Sequence, residues 1–153
     1  MQADLDQRHV VGRIARIADH AIVYVPTSDG YRNDPSRDHR GQLLRQAFAA
    51  RTSQARLVYL STTGVYGDHH GGMVDEHSPC ITRQSRSLRR LDAEQQLRSI
   101  GSHILRVPGI YGHDRLPLAR LQARQPALGE HDDVYTNHIH ADDLARIAWI
   151  ALF

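Results

Sequence analysis

Apolar residues fall into alternating helical and strand patterns along this chain of 153 residues. Val10, Ile14 and Ile17 recur at intervals of four and three, which predicts an amphipathic helix over residues 7–18. The short apolar run 21–25 follows and is typical of a buried parallel strand. The same alternation then predicts strands at 57–60, 103–107 and 134–139, and helices around 43–48, within 82–100, at 116–124 and at 141–152.

Strands that alternate with helices of roughly 10–15 residues imply βαβ units with right-handed crossovers. We therefore predict an α/β fold with three layers and one mostly parallel sheet of about four strands. No internal repeat and no interdomain linker interrupts the pattern, so residues 1–153 are expected to form a single domain.

Composition favours an ordinary soluble protein, with 41% hydrophobic and 24% charged residues. No apolar run approaches the ~20 residues that a membrane-spanning helix needs. The first residues lack the features of a signal peptide, and the single Cys80 cannot form an internal disulfide. The sequence thus predicts a cytoplasmic location without membrane association.

All 19 basic side chains are arginine, and the formal net charge is only +2. A guanidinium stays protonated, so it cannot act as a Schiff-base amine or a neutral general base. The arginines are scattered among acidic residues and form no basic face, which argues against nucleic-acid binding. The cluster Arg83, Arg86, Arg89 and Arg90 is interpreted as a solvated helix face rather than a phosphate site.

Hydroxyl residues follow the apolar strand at 57–60. Ser61, Thr62 and Thr63 come in succession, and Gly64 and Gly67 permit a tight turn around Tyr66. Ligands of open α/β sheets bind at the carboxyl ends of the strands. A hydroxyl in this position is suited to hydrogen-bonding a substrate oxygen.

The stretch 57–67, Leu-Val-Tyr-Leu-Ser-Thr-Thr-Gly-Val-Tyr-Gly, resembles the strand and active-site turn of the extended short-chain dehydrogenase/reductases, the NAD-dependent epimerase/dehydratase family. Four other segments resemble the same family in the same order, at 4–6, 19–26, 105–112 and 137–145. The resemblance implies a partial Rossmann fold that binds NAD or NADP. It also implies redox, epimerase or dehydratase chemistry on a sugar nucleotide or a similar small molecule.

The resemblance further implies a role for individual residues. Thr62 would polarise the substrate oxygen, and the residues near the substrate would be Thr63, Tyr66 and His140. The residues near the cofactor would be Asp4 and Leu5 at the adenine, Val25, Pro26 and Arg90 at the nicotinamide ribose, Pro108 and Gly109 at the nicotinamide, and also Ser61.

Two features depart from the family pattern. The pair Ala93-Glu94 fixes the register of the catalytic helix, and the family's Tyr and Lys positions then hold Arg86 and Arg90. Arginine cannot replace a phenol as acid/base, so the catalytic position at Arg86 predicts impaired activity. The glycine-rich phosphate turn also has no counterpart, so the domain is expected to lack the N-terminal glycine-rich βαβ unit.

These departures leave a second interpretation open, a non-catalytic remnant or interaction module that binds a nucleotide weakly. Without a first strand beside it, the apolar run 21–25 is expected to be an exposed sheet edge. Such edges invite pairing, which predicts self-association through this strand or membership of a longer product.

A remote alternative is a metal-dependent hydrolase. The run His138-x-His140-x-Asp142-Asp143 is similar to the His-x-His-x-Asp-His motif of metallo-β-lactamase-like hydrolases. Its remaining ligands would have to come from the upstream histidines His69, His70 or His77. The favoured interpretation is a strand end and helix N-cap, where acidic residues suit the first turn, so no metal is expected.

Overall fold

The computed structural model describes residues 4–28, 34–53, 55–113, 116, 118–126, 129, 131 and 136–153. Its helices are α1 (Arg8–Ile17), α2 (His39–Ala49), α3 (Ser85–Arg98), α4 (Leu118–Gln122) and α5 (Ala141–Ile150). Its strands are β1 (His20–Val23), β2 (Arg56–Thr62), β3 (His103–Val107), β4 (Gly109–Tyr111) and β5 (His138–His140). The alternation of helices and strands predicted from the sequence is confirmed.

The main sheet contains β1, β2 and β3 in that order, and both pairs are parallel. Strand β2 is longer than the sequence predicts, because Ser61 and Thr62 still pair with Arg106 and Val107 of β3. The two hydroxyl residues are therefore the last residues of the strand rather than the first residues of the turn.

Alternate residues of β2 face opposite layers, as the pleat requires. Leu57 and Tyr59 pack in one buried cluster with residues of α1, α2 and α3. Val58 and Leu60 pack on the other face, against Leu144 and other residues of α5. Helices cover both faces of the sheet, so the predicted three-layer α/β fold is confirmed.

The predicted single sheet of about four strands is wrong in one respect. Strands β4 and β5 form a separate two-stranded parallel sheet, in which Gly109 pairs with His138 and Tyr111 with His140. Pro108 lies between β3 and β4 and has no backbone N–H, so the ladder breaks there. Of the strand predicted at 134–139, residues 134 and 135 lie outside the described residues.

Helix α2 begins at a buried cap. Asp38, with 2% of its surface exposed, accepts a hydrogen bond from the Gly41 N–H at 2.8 Å. The same carboxylate accepts hydrogen bonds from the backbone and the hydroxyl of Ser28, both at 2.9 Å. This cap joins the segment after β1 to the start of α2.

No helix among the described residues is both long and apolar enough to cross a membrane.

Candidate functional site

The carboxyl ends of β2 and β3 lie side by side. Thr62 is paired with Val107, so the turn after Thr62 is adjacent to Pro108 and Gly109. Thr62 keeps extended backbone angles, and its Oγ1 accepts a hydrogen bond from the Gly64 N–H at 3.2 Å. Thr62 and Thr63 are half-buried at this edge. The structure thus brings together two segments that the sequence marked separately.

The β4–β5 pair extends this edge. The Gly109 N–H donates a hydrogen bond to the Asn137 carbonyl at 3.1 Å, and the His138 ring covers Gly109. A Cβ added at Gly109 would lie only 2.7 Å from His138 Cδ2. His140, half-buried, lies against the Tyr111 ring with 5.2 Å between ring centroids. The strand predicted at 134–139 overlaps β5, but the sequence does not predict that it pairs with residues 109–111.

His140 is the N-cap of α5. Its Nδ1 accepts a hydrogen bond from the Asp142 N–H at 3.3 Å, and Asp142 and Asp143 lie in the first turn.

Among the described residues, no three His, Cys, Asp or Glu side chains are grouped so that they could hold a metal ion. His69, His70 and His77 lie on the loop before α3, where His69 Nε2 is 3.1 Å from the Pro79 carbonyl.

Ser61 and Thr62 face opposite sides of the sheet. The Ser61 hydroxyl is buried and donates a hydrogen bond to Glu94 Oε1 at 2.5 Å. Glu94 belongs to α3 and is itself 1% exposed. The side chain of Ser61 therefore points at α3, whereas Thr62 lies on the side of the sheet that α5 covers.

Arg106 of β3 completes the buried group around Glu94. Arg106 Nη2 donates a hydrogen bond to Glu94 Oε2 at 2.9 Å. The Arg106 guanidinium also lies 4.8 Å from the centre of the Tyr66 ring, which is buried. Hydrogen bonds to Glu94 raise the pKa of Arg106 above its usual value, so the guanidinium is a permanent cation. The sequence shows Arg106 and Glu94 in family-like segments but does not reveal their contact.

The two arginines predicted at the family's Tyr and Lys positions have different surroundings. Arg86 lies exposed in the first turn of α3. Arg90 is buried, and its Nη1 donates a hydrogen bond to Tyr59 Oη at 2.8 Å. Burial raises the pKa of Tyr59, so its phenol stays protonated at neutral pH. Arg90 thus hydrogen-bonds a buried phenol in the middle of β2.

The other predicted cofactor residues lie near the carboxyl end of β1. Asp4 is exposed and accepts hydrogen bonds from the Asp6 N–H at 2.9 Å and from Gln7 Nε2 at 3.0 Å. Leu5 and Val25 are half-buried against the core.

Arg40, which the sequence does not single out, connects the turn at residues 4–6 to the exit of β1. It donates hydrogen bonds to both Asp6 carboxylate oxygens, at 2.7 and 2.8 Å, and to the Pro26 carbonyl at 3.0 Å. This bidentate pair lowers the pKa of Asp6. The turn and the strand end therefore form one connected surface.

A cavity of about 320 Å³ lies near the amino ends of β2 and β3, opposite the candidate site. Its lining combines apolar residues, among them Phe48, Leu57 and Ile100, with the polar residues Arg51, Thr52 and Ser53. The Arg51 guanidinium donates hydrogen bonds to the carbonyls of Ala15 and Ala18 at the end of α1. The chemistry-bearing residues lie at the carboxyl ends of the strands, so this cavity is not the candidate site.

No protein-family model matches the sequence, and no curated protein matches it. Solved structures do match. A protein from Methylobacillus flagellatus, described as a candidate NAD-dependent epimerase/dehydratase, is 31% identical, with a TM-score of 0.75. The match covers 99% of this chain and 54% of that protein.

Two enzymes with bound nucleotides have the same fold at lower identity. One is a double mutant of DesIV, the dTDP-glucose 4,6-dehydratase from Streptomyces venezuelae, with NAD and a second ligand bound, at 21% identity and a TM-score of 0.78. The other is WbmG from Bordetella bronchiseptica with NAD and UDP, at 18% identity and a TM-score of 0.79. The matches cover 98% and 100% of this chain and 53% of each enzyme, so the chain spans about half their length.

Proposed function

Because the chain belongs to the NAD-dependent epimerase/dehydratase family, we propose that it binds NAD or NADP at the carboxyl edge of its main sheet. The observation that carries this proposal is the pairing of Thr62 with Val107, which brings the Thr62–Thr63 hydroxyls beside Pro108 and Gly109. Hydroxyl groups at a strand end offer hydrogen bonds to a planar ring and its ribose.

The adenine half of the cofactor is proposed to bind at the turn of Asp4 and Leu5. Arg40 supports this location because it holds the neighbouring Asp6 against the exit of β1. Val25 and Pro26 would then lie between the two halves of the cofactor. Asp4 has exposed carboxylate oxygens, which are suitable acceptors for an exocyclic amine.

The substrate is proposed to be a sugar nucleotide or a similar small molecule, and the reaction a redox, epimerase or dehydratase step. Thr62 would hydrogen-bond the oxygen at the reacting carbon, and Thr63, Tyr66 and His140 would border the substrate. The proton transfer has no phenol at the family position, because the exposed Arg86 stands there. We therefore expect a low rate compared with a member that keeps the phenol.

The second candidate function is nucleotide binding without turnover. The hydrogen bond from Arg90 to Tyr59 favours it, because Arg90 is directed into the core. A cation held there is not free to lower the pKa of an acid/base at the edge. The chain is thus proposed to bind a nucleotide without converting a substrate.

The test titrates the two halves of the cofactor separately and follows backbone amides by NMR. Nicotinamide mononucleotide should shift the amides of Thr62, Thr63 and Gly109, and adenosine monophosphate should shift those of Asp4 and Leu5. Intact NAD at 100 times its dissociation constant should add about 2.7 kcal/mol to the free energy of unfolding. For a domain of this size that corresponds to roughly 5–10 °C in Tm.

A matched pair of variants locates the binding. Gly109→Leu should abolish the shifts caused by the mononucleotide, because its side chain meets the His138 ring. Gly12→Ala, in α1 with nothing within 4 Å of the added Cβ, should leave them unchanged. No shift at millimolar cofactor would contradict the proposed binding. Binding without conversion of dTDP-sugars or UDP-sugars, measured by chromatography of the nucleotide sugars, would favour the second candidate, because an epimerase or dehydratase regenerates its NAD and leaves no net nicotinamide reduction.

A further inference from the structure

Helix α3 begins with backbone donors that the protein does not use. Its N-cap residue Gln84 makes no side-chain cap, and no acidic residue lies in the first turn. The N–H of Leu88 is the first that bonds back, donating to the Gln84 carbonyl at 2.9 Å. The N–H groups of Arg86 and Ser87 therefore have no partner among the described residues, and they are available to a ligand at the end of the helix.

The side chain of Ser87 is directed toward the same helix end. Only 6% of Ser87 is exposed, and no hydrogen bond joins its hydroxyl to another described residue. The Cα–Cβ bond of a helical residue tilts toward the N-terminus, so this hydroxyl lies along the first turn. A Cβ added at Gly64 would lie 3.2 Å from Ser87 Oγ and 3.5 Å from Thr62 Oγ1. A buried hydroxyl without a partner costs free energy, which a ligand between the helix and the Thr62 turn would offset.

Two exposed cations belong to this helix end. Arg86 lies in the first turn, and Arg83 directly precedes the N-cap residue. Neither guanidinium makes an ion pair or a hydrogen bond with another described residue. Arg89 and Arg90, by contrast, donate hydrogen bonds to the protein itself. The sequence indicates only a solvated helix face here, because it shows neither which arginines are engaged nor that Ser87 is buried.

We propose that the first turn of α3 binds an oxyanion of the substrate, a phosphoryl or carboxylate group, through the backbone of Arg86 and Ser87, the Ser87 hydroxyl and the Arg86 guanidinium. In assigning the anion to a substrate, this inference rests on the proposed function. The N–H groups and the positive end of the helix dipole favour a negative charge at this place. A guanidinium can pair with two oxygens of either group at once.

An oxyanion in this place narrows the class of substrate. Ser87 adjoins the turn after Thr62, so the bound group lies beside the hydroxyl that is proposed to hold the reacting oxygen. The substrate is therefore a sugar that carries a charged oxygen group close to its reacting carbon. Arg86, at the position predicted for the family's Tyr, cannot exchange a proton, but it can neutralise this group.

The test titrates the chain with glucose 1-phosphate, glucuronate and neutral glucose at constant ionic strength and follows backbone amides by NMR. At least one of the two anions should shift the amides of Gly64, Arg86 and Ser87 with a single dissociation constant, and glucose should not. The anion that binds more tightly identifies the group as phosphoryl or carboxylate. Helix α1 is the internal control, because it also lacks a side-chain cap and begins with the exposed Arg8, but residues 8–10 include no hydroxyl. Its amides should not shift.

Three variants locate the binding. Ser87→Ala should weaken it at least about tenfold, because the change removes a hydrogen bond to a charged group. The Tm of this variant should not fall, since the hydroxyl has no protein partner among the described residues. Arg86→Gln should also weaken binding, and the loss should shrink as salt is added. Arg8→Gln is the matched control and should leave the affinity unchanged.

Three results would overturn the proposal. Neither sugar anion binds, or Ser87→Ala leaves the affinity unchanged, or the amides of α1 shift as much as those of α3. Nicotinamide mononucleotide that shifts Thr62 and Gly109 while neither anion binds would overturn this inference and leave the proposed cofactor site intact. Anion binding at Ser87 without any response to the mononucleotide would support the oxyanion site and contradict the cofactor site.

Discussion

Arg106 and Glu94 form a buried ion pair between β3 and α3, with 2.9 Å between Arg106 Nη2 and Glu94 Oε2. The Glu94 side chain is 1% exposed, and its other oxygen accepts the hydrogen bond from Ser61. The pair and the Ser61 hydrogen bond therefore connect the carboxyl ends of β2 and β3 to α3. The ion pair stabilises the carboxyl ends of β2 and β3 but does not itself lie at those ends.

Replacing Glu94 by Gln should destabilise the fold by about 3–5 kcal/mol. The change leaves the Arg106 cation with no carboxylate partner in a largely buried position, which is costly. The free energy of unfolding from urea denaturation measures the effect. The matched control is Arg98→Gln, which removes the exposed partner at 3.9 Å from Glu94 and should cost only about 0–1 kcal/mol.

The coupling between Glu94 and Arg106 is a separate prediction from the same pair. In a double-mutant cycle with Glu94→Gln and Arg106→Met, the interaction energy should be at least about 1 kcal/mol. The double variant should be more stable than additive losses imply, because it leaves no unpaired buried charge. Additivity within error would show that the two side chains act independently, contrary to the observed contact.

The contrast between Gly41 and Gly12 yields a prediction about helix packing. A Cβ at Gly41 would lie 3.0 Å from Asp38 Oδ2 and 3.1 Å from Cα of Ala93, so α2 and α3 would have to separate. Gly41→Ala should destabilise by roughly 1–3 kcal/mol. Gly12→Ala, with nothing within 4 Å, should stabilise α1 by up to about 1 kcal/mol. Thermal unfolding of both variants gives the comparison, and equal signs would contradict it.

Much of the fold could be predicted because its signals are local. The strand at His103–Val107 matches its predicted bounds, and helix α3 lies within the predicted range. The separate β4–β5 sheet could not be predicted, since it depends on a break at Pro108 and on strands too short for periodicity. The predicted end of β2 at residue 60 is also wrong, because Ser61 and Thr62 are hydroxyl residues typical of a turn and yet pair with β3.

The candidate site also has features that the sequence indicates and features that it does not. The adjacency of Thr62 and Pro108 follows from the parallel pairing of β2 with β3, in which Thr62 is opposite Val107. The direction of each side chain does not follow, because it depends on which layer covers each face. Ser61 and Arg90 look like edge residues in the sequence, yet both contact buried partners, Glu94 and Tyr59.

The hydroxyl of Thr62 should contribute to the turn that follows β2. Its Oγ1 accepts the Gly64 N–H, so Thr62→Val removes an N-cap while it keeps the shape of the side chain. A loss of about 1 kcal/mol in the free energy of unfolding is expected. Thr62→Ser keeps the acceptor and serves as the control, with a smaller loss. A larger loss in Thr62→Ser than in Thr62→Val would assign the effect to packing of the methyl group instead.

The contact between Arg40 and Asp6 should make part of the stability depend on pH. The bidentate hydrogen bonds from Arg40 hold the pKa of Asp6 below the ordinary value of about 3.9. Because the folded pKa is lowered, the pair stabilises the fold above about pH 4, and this contribution is lost as the pH falls through the folded pKa. Arg40→Gln should therefore raise the pKa of Asp6 and flatten the loss of stability below pH 4.

Carboxyl chemical shifts measured by NMR between neutral pH and pH 2 test this expectation directly. Asp75 is the internal control, because its pKa is lowered by the Ser78 hydroxyl on a separate exposed turn. Arg40→Gln should leave the titration of Asp75 unchanged, whereas Ser78→Ala should raise its pKa and leave Asp6 unaffected. An Asp6 that titrates near 3.9 in the unmodified chain would mean that the ion pair does not persist in solution. The turn at Asp4 and Leu5 would then lose its connection to the exit of β1, and with it the structural support for an adenine site there.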